Sequence, residues 1–359
     1  MTDRSNTRSF KIGSLPIGGG ARVSVQTMAN ADPYDFEALK SQLLSCASLG
    51  CEIFRMTVPD EHAAKVLGEI KKISPIPLVA DIHFDYRAAL AAIEYGADAL
   101  RLNPGNIGGR EKVSAVARAA KARNIPIRIG VNLGSLEKSL DARVRDGDSV
   151  AECLTLSAMN HLKMLEDEGF YNVVISAKAS NVKDTIETYR MLAETTDCPL
   201  HLGVTEAGTA LPGTVRSSVA LGILLSEGIG DTVRVSLTDK PEKEVKVGLE
   251  ILRSLGLRSP GPAITSCPTC GRTKVDLLHV AAAVESELER YALSSPNAVI
   301  PHVAVMGCAV NGPGEAKGAD IALCGGVGEF LLFVKGEIVA KISQENAVKK
   351  VMEYVVSFQ

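Results

Sequence analysis

From Val23 onward, short runs rich in β-branched and other apolar residues alternate with longer stretches whose apolar positions recur every three or four residues. The short runs predict strands buried on both faces; the longer ones predict amphipathic helices. The strand-like runs are VSVQTM from Val23, IFRMTV from Ile53, LVADIHF from Leu78, ALRLN from Ala99, IRIGVN from Ile127, VVISAK from Val173, LHLGVT from Leu200 and VRVSLT from Val233. Helical patterns such as DFEALKSQLLSCASLG, DYRAALAAIEYG, GREKVSAVARAAKARN and KDTIETYRMLAET lie between them, with Asp, Gly or Asn near their ends. Eight such repeats in roughly 240 residues predict an α/β fold of the (β/α)8 (TIM) barrel type rather than a doubly wound sheet.

After ILRSLGLRSPGP the rhythm stops, and the Pro and Gly cluster at Pro260–Pro262 reads as a linker. We therefore expect a barrel domain over 1–258 and a second domain over 259–359. The second contains a helix-like VDLLHVAAAVESELERYAL, a β-like VIPHVAVMGCAVNGPGEAKGADIAL, short alternating runs ending in FLLFVKGEIVAKIS and a closing helix, which together predict a small α+β module.

Composition sharpens this picture in three respects. The 359 residues include 46% hydrophobic and 23% charged side chains, as in a soluble folded enzyme. A net charge of -3 with mixed signs gives no general attraction to nucleic acid or anionic membranes. The N-terminus has no signal-peptide core and the chain no long uncharged apolar run, so a cytoplasmic location is expected.

A barrel places its chemistry at the carboxyl ends of its strands. Read in order, those positions are Arg55, Asp81, His83, Arg101, Asn103, Arg128, Asn132, Lys178, Glu206, Arg234 and Ser236. Four arginines embedded in β-rich runs, with a lysine, are out of place unless they serve a site. Cations converging on one cavity imply a polyanionic ligand, because guanidinium forks match phosphate oxygens. The glycines of NPGNIGG would allow close approach to a phosphate. Glu206 is the best carboxylate for proton transfer; its plainer role would be a partner for one of the arginines.

Of the eight cysteines, Cys46, Cys51, Cys153, Cys198 and Cys324 read as small buried hydrophobes. The SCPTCGRTK stretch, carrying Cys267 and Cys270, admits a structural zinc, a redox dithiol or part of an iron-sulfur centre. A four-thiolate zinc site lacks a second C-x-x-C, and a dithiol motif is expected at a βαβ entry rather than after a linker. With Cys308 there are three thiolates, and Glu315, seven residues further on, is a candidate fourth ligand. A cluster held by one weaker oxygen ligand would have an iron free to meet substrate.

The pieces SCPTCGRT, MGCAVNGPGEAKGAD, VADIHFDYR, LRLNPGNIG, RIGVNLGSL and GVTEAG occur in this order. Together they resemble the 4-hydroxy-3-methylbut-2-enyl diphosphate synthase family of the non-mevalonate isoprenoid pathway. The resemblance implies a barrel joined to a [4Fe-4S] domain, with Cys267, Cys270, Cys308 and Glu315 as cluster ligands. Glu206 would be the acid/base, and Arg55, Arg101, Arg128, Lys178 and Arg234 would hold a diphosphate with Asn132 and Ser236. Asp81 and His83 match a motif near the site. It further implies 2-C-methyl-D-erythritol 2,4-cyclodiphosphate as substrate, flavodoxin or ferredoxin as electron donor, and a head-to-tail homodimer of compact two-domain chains. The competing expectations are a pterin-type or aldolase-type barrel with a structural zinc tail, and a zinc-stabilised binding module. The second lacks the basic and aromatic interleaving of a nucleic-acid surface.

Overall fold

The computed structural model describes residues 4–258, 264–295, 298–309, 314 and 316–358. The chain divides into two compact units, Met1–Leu257 and Arg258–Gln359.

The first unit opens with an antiparallel hairpin of β1 (Phe10–Ile12) and β2 (Leu15–Ile17). Eight parallel strands follow: β3 (Ser24–Met28), β4 (Ile53–Thr57), β5 (Leu78–Asp81), β6 (Ala99–Leu102), β7 (Ile127–Asn132), β8 (Val173–Lys178), β9 (His201–Leu202) and β10 (Thr232–Val233). They are ordered β8-β7-β6-β5-β4-β3-β10-β9, and a bridge between Ile175 and Leu200 joins the two ends into a ring. The predicted barrel is present. β9 and β10 are shorter than their apolar runs suggest. Just past β9, a Cβ at Gly203 would lie 2.6 Å from the Arg234 carbonyl oxygen, so the two segments run too close for a ladder with side chains.

Helices start almost where the strands end, because short polar side chains cap them. Asp35 accepts from the Ala38 amide, Asp60 from Ala63, Asp85 from Arg87 and Asn181 from Asp184. Their inner stripes, such as Ala63, Ala64, Leu67 and Ile70 on helix Glu61–Ile73, join the strands in one continuous core. Cys46, Cys51, Cys153 and Cys198 are buried, as expected of small hydrophobes.

The hairpin had no counterpart in the sequence reading. Its Ile12 and Ile17 pack with Ile53, Val79, Ala99 and Val174 from the barrel strands and close the amino end of the ring. Gly13 turns the hairpin at φ +58°, and any Cβ there would meet Asp98 at 2.8 Å.

The second unit is a five-stranded sheet of β11 (Ile264–Ser266), β12 (Val303–Met306), β13 (Ile321–Gly325), β14 (Glu329–Val334) and β15 (Glu337–Ser343). The first three are parallel and the last two complete an antiparallel meander. Helices Leu277–Ser294 and Ala347–Val356 contribute Val280, Val284, Leu288, Val351 and Val355 to its main core. This is the expected α+β module. Among the described residues no helix is long and apolar enough to cross a membrane.

Candidate functional site

The strands deliver five cations to one end of the barrel. Arg55, Arg101, Arg128, Lys178 and Arg234 line a cavity of about 100 Å³, together with Asn132, Ser176, Thr205 and Ser236. All the cations expected at the mouth are therefore together, as are Asn132 and Ser236.

Two buried carboxylates hold the arginines. Asp81 accepts from Arg55 Nη2 at 2.7 Å and from Arg101 Nη1 at 3.3 Å. Glu244, from helix Pro241–Ser254, accepts from Arg234 Nη2 at 2.9 Å and Nε at 3.2 Å. Its remaining capacity takes the Thr27 hydroxyl at 2.8 Å and the Leu237 amide at 3.0 Å. Asp81 is thus an anchor for two guanidiniums. Glu244 and Thr27 were absent from the sequence reading.

Five basic side chains against two carboxylates leave a surplus of three basic groups. Arg128 Nη2 and Arg55 Nε are buried without a hydrogen-bond partner, an arrangement that favours an incoming anion. Burial, then the Arg55 and Arg101 charges, pushes the Arg128 guanidinium downward. Desolvation and the four arginines, Arg234 first, hold the Lys178 ammonium well below its ordinary range. Burial raises the Asp81 carboxyl, but Arg55 and Arg101 outweigh it and bring it below the ordinary value. Beneath this layer, burial and the same cations keep His201 neutral, with Nδ1 2.7 Å from the Thr232 hydroxyl.

Two glycines make room for the long side chains. A Cβ at Gly130 would come within 2.3 Å of Arg101 Nε, and one at Gly203 within 2.6 Å of Lys178 Nζ. Neither was singled out from the sequence, although a glycine inside a strand-like run signals close approach.

Besides Asp81, which sits behind the arginines it anchors, three predicted residues stand apart from the cavity lining. Asn103 is buried and caps Pro104–Ile107, accepting from the Gly105 amide at 3.0 Å. His83 is exposed, its Nδ1 3.8 Å from Asp81 Oδ2. Glu206 is exposed on the loop after β9, with a left-handed backbone at φ +51°. Among the described residues it makes no ion pair with the arginines, so it does not take the plainer role considered for it.

Cys267 follows β11 and Cys308 follows its parallel neighbour β12, while Cys270 lies in the loop after β11 and Cys324 in β13. Cys267 accepts the Gly307 amide at 3.2 Å, immediately before Cys308. Cys270 is exposed, and the Arg272 amide together with its side chain lowers the thiol. Cys324 is buried beside Cys308 and Cys267, and burial chiefly pushes its thiol up to about 11. Its expected role as a small hydrophobe stands. Glu315 lies outside the described residues. Among those described, no three metal-binding side chains already converge on a point. The donor chemistry nevertheless fits a thiolate-bound group, because amides reach both Cys267 and Cys270, as anionic sulfur requires.

A parallel barrel with a cationic mouth, in one chain with a thiol-bearing α+β unit, defines a polyanion-binding barrel protein with a second, sulfur-donor module. The chain belongs to the GcpE family: residues 7–249 match the GcpE TIM-barrel domain and residues 263–357 the GcpE C-terminal domain. It is 52% identical to a 4-hydroxy-3-methylbut-2-en-1-yl diphosphate synthase (flavodoxin) of Maridesulfovibrio salexigens, over 100% of this chain and 98% of that protein. A Clostridium acetobutylicum protein of the same name is 52% identical over 98% and 99% of the two chains. The Bacillus subtilis one is 50% identical over 99% and 92%.

Proposed function

We propose that the chain converts 2-C-methyl-D-erythritol 2,4-cyclodiphosphate into 4-hydroxy-3-methylbut-2-enyl diphosphate in the non-mevalonate pathway. Two electrons and two protons enter, the ring opens, and one water leaves. The observation that carries this reading is the surplus of basic side chains over carboxylates around a small cavity, in a chain whose two units both match the synthase family.

Arg55, Arg101, Arg128, Lys178 and Arg234 bind the diphosphate oxygens, and Asn132 and Ser236 orient them. Asp81 and Glu244 keep three of the guanidiniums in register before substrate arrives. Glu206, at the exposed rim, moves the proton that accompanies loss of water.

Cys267, Cys270 and Cys308 hold a [4Fe-4S] cluster, with Glu315 as the fourth ligand in this reading. When bound, that group supplies single electrons at the substrate. The donor is a flavodoxin, as the names of the relatives indicate, and the setting is the reducing cytoplasm. Two copies pair head to tail, one chain's cluster unit serving the other's barrel.

Anaerobic purification with iron, sulfide and zinc analysis tests the cluster. About four iron and four sulfide per chain, with a visible band near 410 nm, are expected for a thiolate-held [4Fe-4S] centre. One zinc and no visible band after reconstitution would instead leave a phosphate-binding barrel with a structural tail. Mixing Glu206→Gln chains with Cys308→Ala chains should recover activity, and mixtures that stay inactive argue against the shared site.

A further inference from the structure

Glu137 was not singled out from the sequence and is not part of the cavity lining, yet both of its oxygens are engaged. It follows the turn Leu133–Ser135 and stands at the start of helix Lys138–Arg145. Oε2 accepts from the Ser157 hydroxyl at 2.6 Å, and Oε1 lies 3.5 Å from His161 Nε2. Ser157 and His161 are four residues apart on the buried face of helix Val150–Glu166, so they present neighbouring polar groups to one carboxylate. Two polar side chains at core-facing positions are costly unless they meet a specific partner, and Glu137 is that partner.

The imidazole has one protonation pattern that fits these surroundings. Its Nδ1 is buried without a hydrogen-bond partner. A proton there would be a stranded donor, whereas a proton on Nε2 faces Glu137. Burial lowers the ring's pKa and the Glu137 charge only partly restores it, so the ring is neutral at pH 7. Nε2 also stands 2.7 Å from where a Cβ of Gly105 would be, and that Cβ would lie 3.3 Å from Asn103 Oδ1. The backbone at Gly105 therefore rests against the imidazole edge, closer than a residue with a side chain could.

From there a chain of contacts runs to the cavity. Asn103 Nδ2 donates to the Ser135 carbonyl at 3.4 Å, joining the loop after β6 to the loop after β7. Ser135 Oγ accepts from the Asn132 amide at 3.0 Å and donates to the Asn132 carbonyl at 3.1 Å. Asn132 lines the cavity. We infer that Glu137 and His161 are positioning residues for anion binding: they clamp the two loops to the barrel wall and so set the Asn132 side chain against the diphosphate oxygens. The inference rests on the diphosphate reading above and extends it to residues that never touch the ligand.

The test is calorimetric binding of inorganic pyrophosphate to the full-length, anaerobically purified chain. Glu137→Ala is expected to raise the dissociation constant about tenfold while the far-UV spectrum stays unchanged. The decisive pair is His161→Gln and His161→Asn. A glutamine amide nitrogen reaches the place of Nε2 and restores the donor to Glu137, whereas the shorter asparagine leaves it unmatched. His161→Gln should bind within about threefold of wild type, and His161→Asn about tenfold more weakly. Nitrogen-15 NMR of the wild-type histidines gives an independent reading, the His161 signals being those that His161→Gln removes. A proton on Nε2 is expected, and a proton on Nδ1 overturns the clamp. Unchanged binding by Glu137→Ala and His161→Asn also overturns it, as does equal weakening by the two amides, which packing alone would produce. A wild type that fails to bind pyrophosphate at millimolar concentration overturns the diphosphate reading, and the clamp with it.

Discussion

Asp81 Oδ2 lies 2.7 Å from Arg55 Nη2, inside a barrel end where positive charge otherwise dominates. The carboxylate is fully buried and also reaches Arg101, so it ties two adjacent strands' cations to a third strand between them. Replacement by asparagine would leave guanidiniums buried without a counter-charge. Asp81→Asn should lose about 3 kcal/mol or more in urea unfolding and weaken diphosphate binding.

The same residue sets an acid limit. Its folded carboxyl is depressed below the unfolded value of 3.8, so its contribution is fully present above that pH and is lost as pH falls through the folded value. Stability of the wild type should fall on acidification below pH 3.8 more steeply than that of Asp81→Asn. Parallel acid profiles for the two proteins would remove this role from Asp81.

Lys178 titrates in the opposite sense. Its ammonium is pushed down by desolvation and the arginines, so the unfolded chain binds the proton more readily; the cost to folding is absent above 10.5, grows as pH falls and is complete below the folded value. A diphosphate relieves that repulsion. Binding of inorganic pyrophosphate should therefore be accompanied by proton uptake at the pH where Lys178 titrates in the empty site, read by calorimetry in buffers of different ionisation enthalpy. Lys178→Met should bind with no such uptake and be more stable when empty.

Gly130 carries a steric prediction. A methyl there would collide with Arg101 at 2.3 Å, so Gly130→Ala should raise the substrate KM at least about tenfold by moving that guanidinium.

Glu244→Gln removes the charge that holds Arg234 while keeping a hydrogen-bond acceptor. A loss of about 2 kcal/mol, or roughly 4–8 °C in Tm for a unit of this size, is expected by calorimetry, with a parallel fall in kcat/KM.

What the sequence revealed depended on whether a residue broke its local pattern. Arg55, Arg101, Arg128 and Arg234 stood out because guanidiniums interrupt β-rich runs, and all four line the cavity. Glu244 was illegible: it sits in a helix between Glu242 and Glu250 and looks like another surface carboxylate until the barrel closes over it. Asn103 has a local structural use that its sequence also signals. Its Asn-Pro pairing is the start signal of a short helix, and the structure uses it that way. The hairpin went unread because FKIGSLPI is too brief to show a period, and its place under the barrel depends on residues from Ile53 to Val174. Two-residue β9 and β10 were overestimated because apolar runs record burial, whereas a ladder also needs a regular distance between chains.

The Ile12 and Ile17 plug turns the barrel into a cup with a single door. Whatever enters at the arginines must leave past them, and the leaving molecule carries the same diphosphate that drew its precursor in. Traffic is therefore one-way in time rather than in space: the cup must empty before it refills. Product should accordingly behave as a competitive inhibitor, and any lasting rise in its concentration slows its own synthesis.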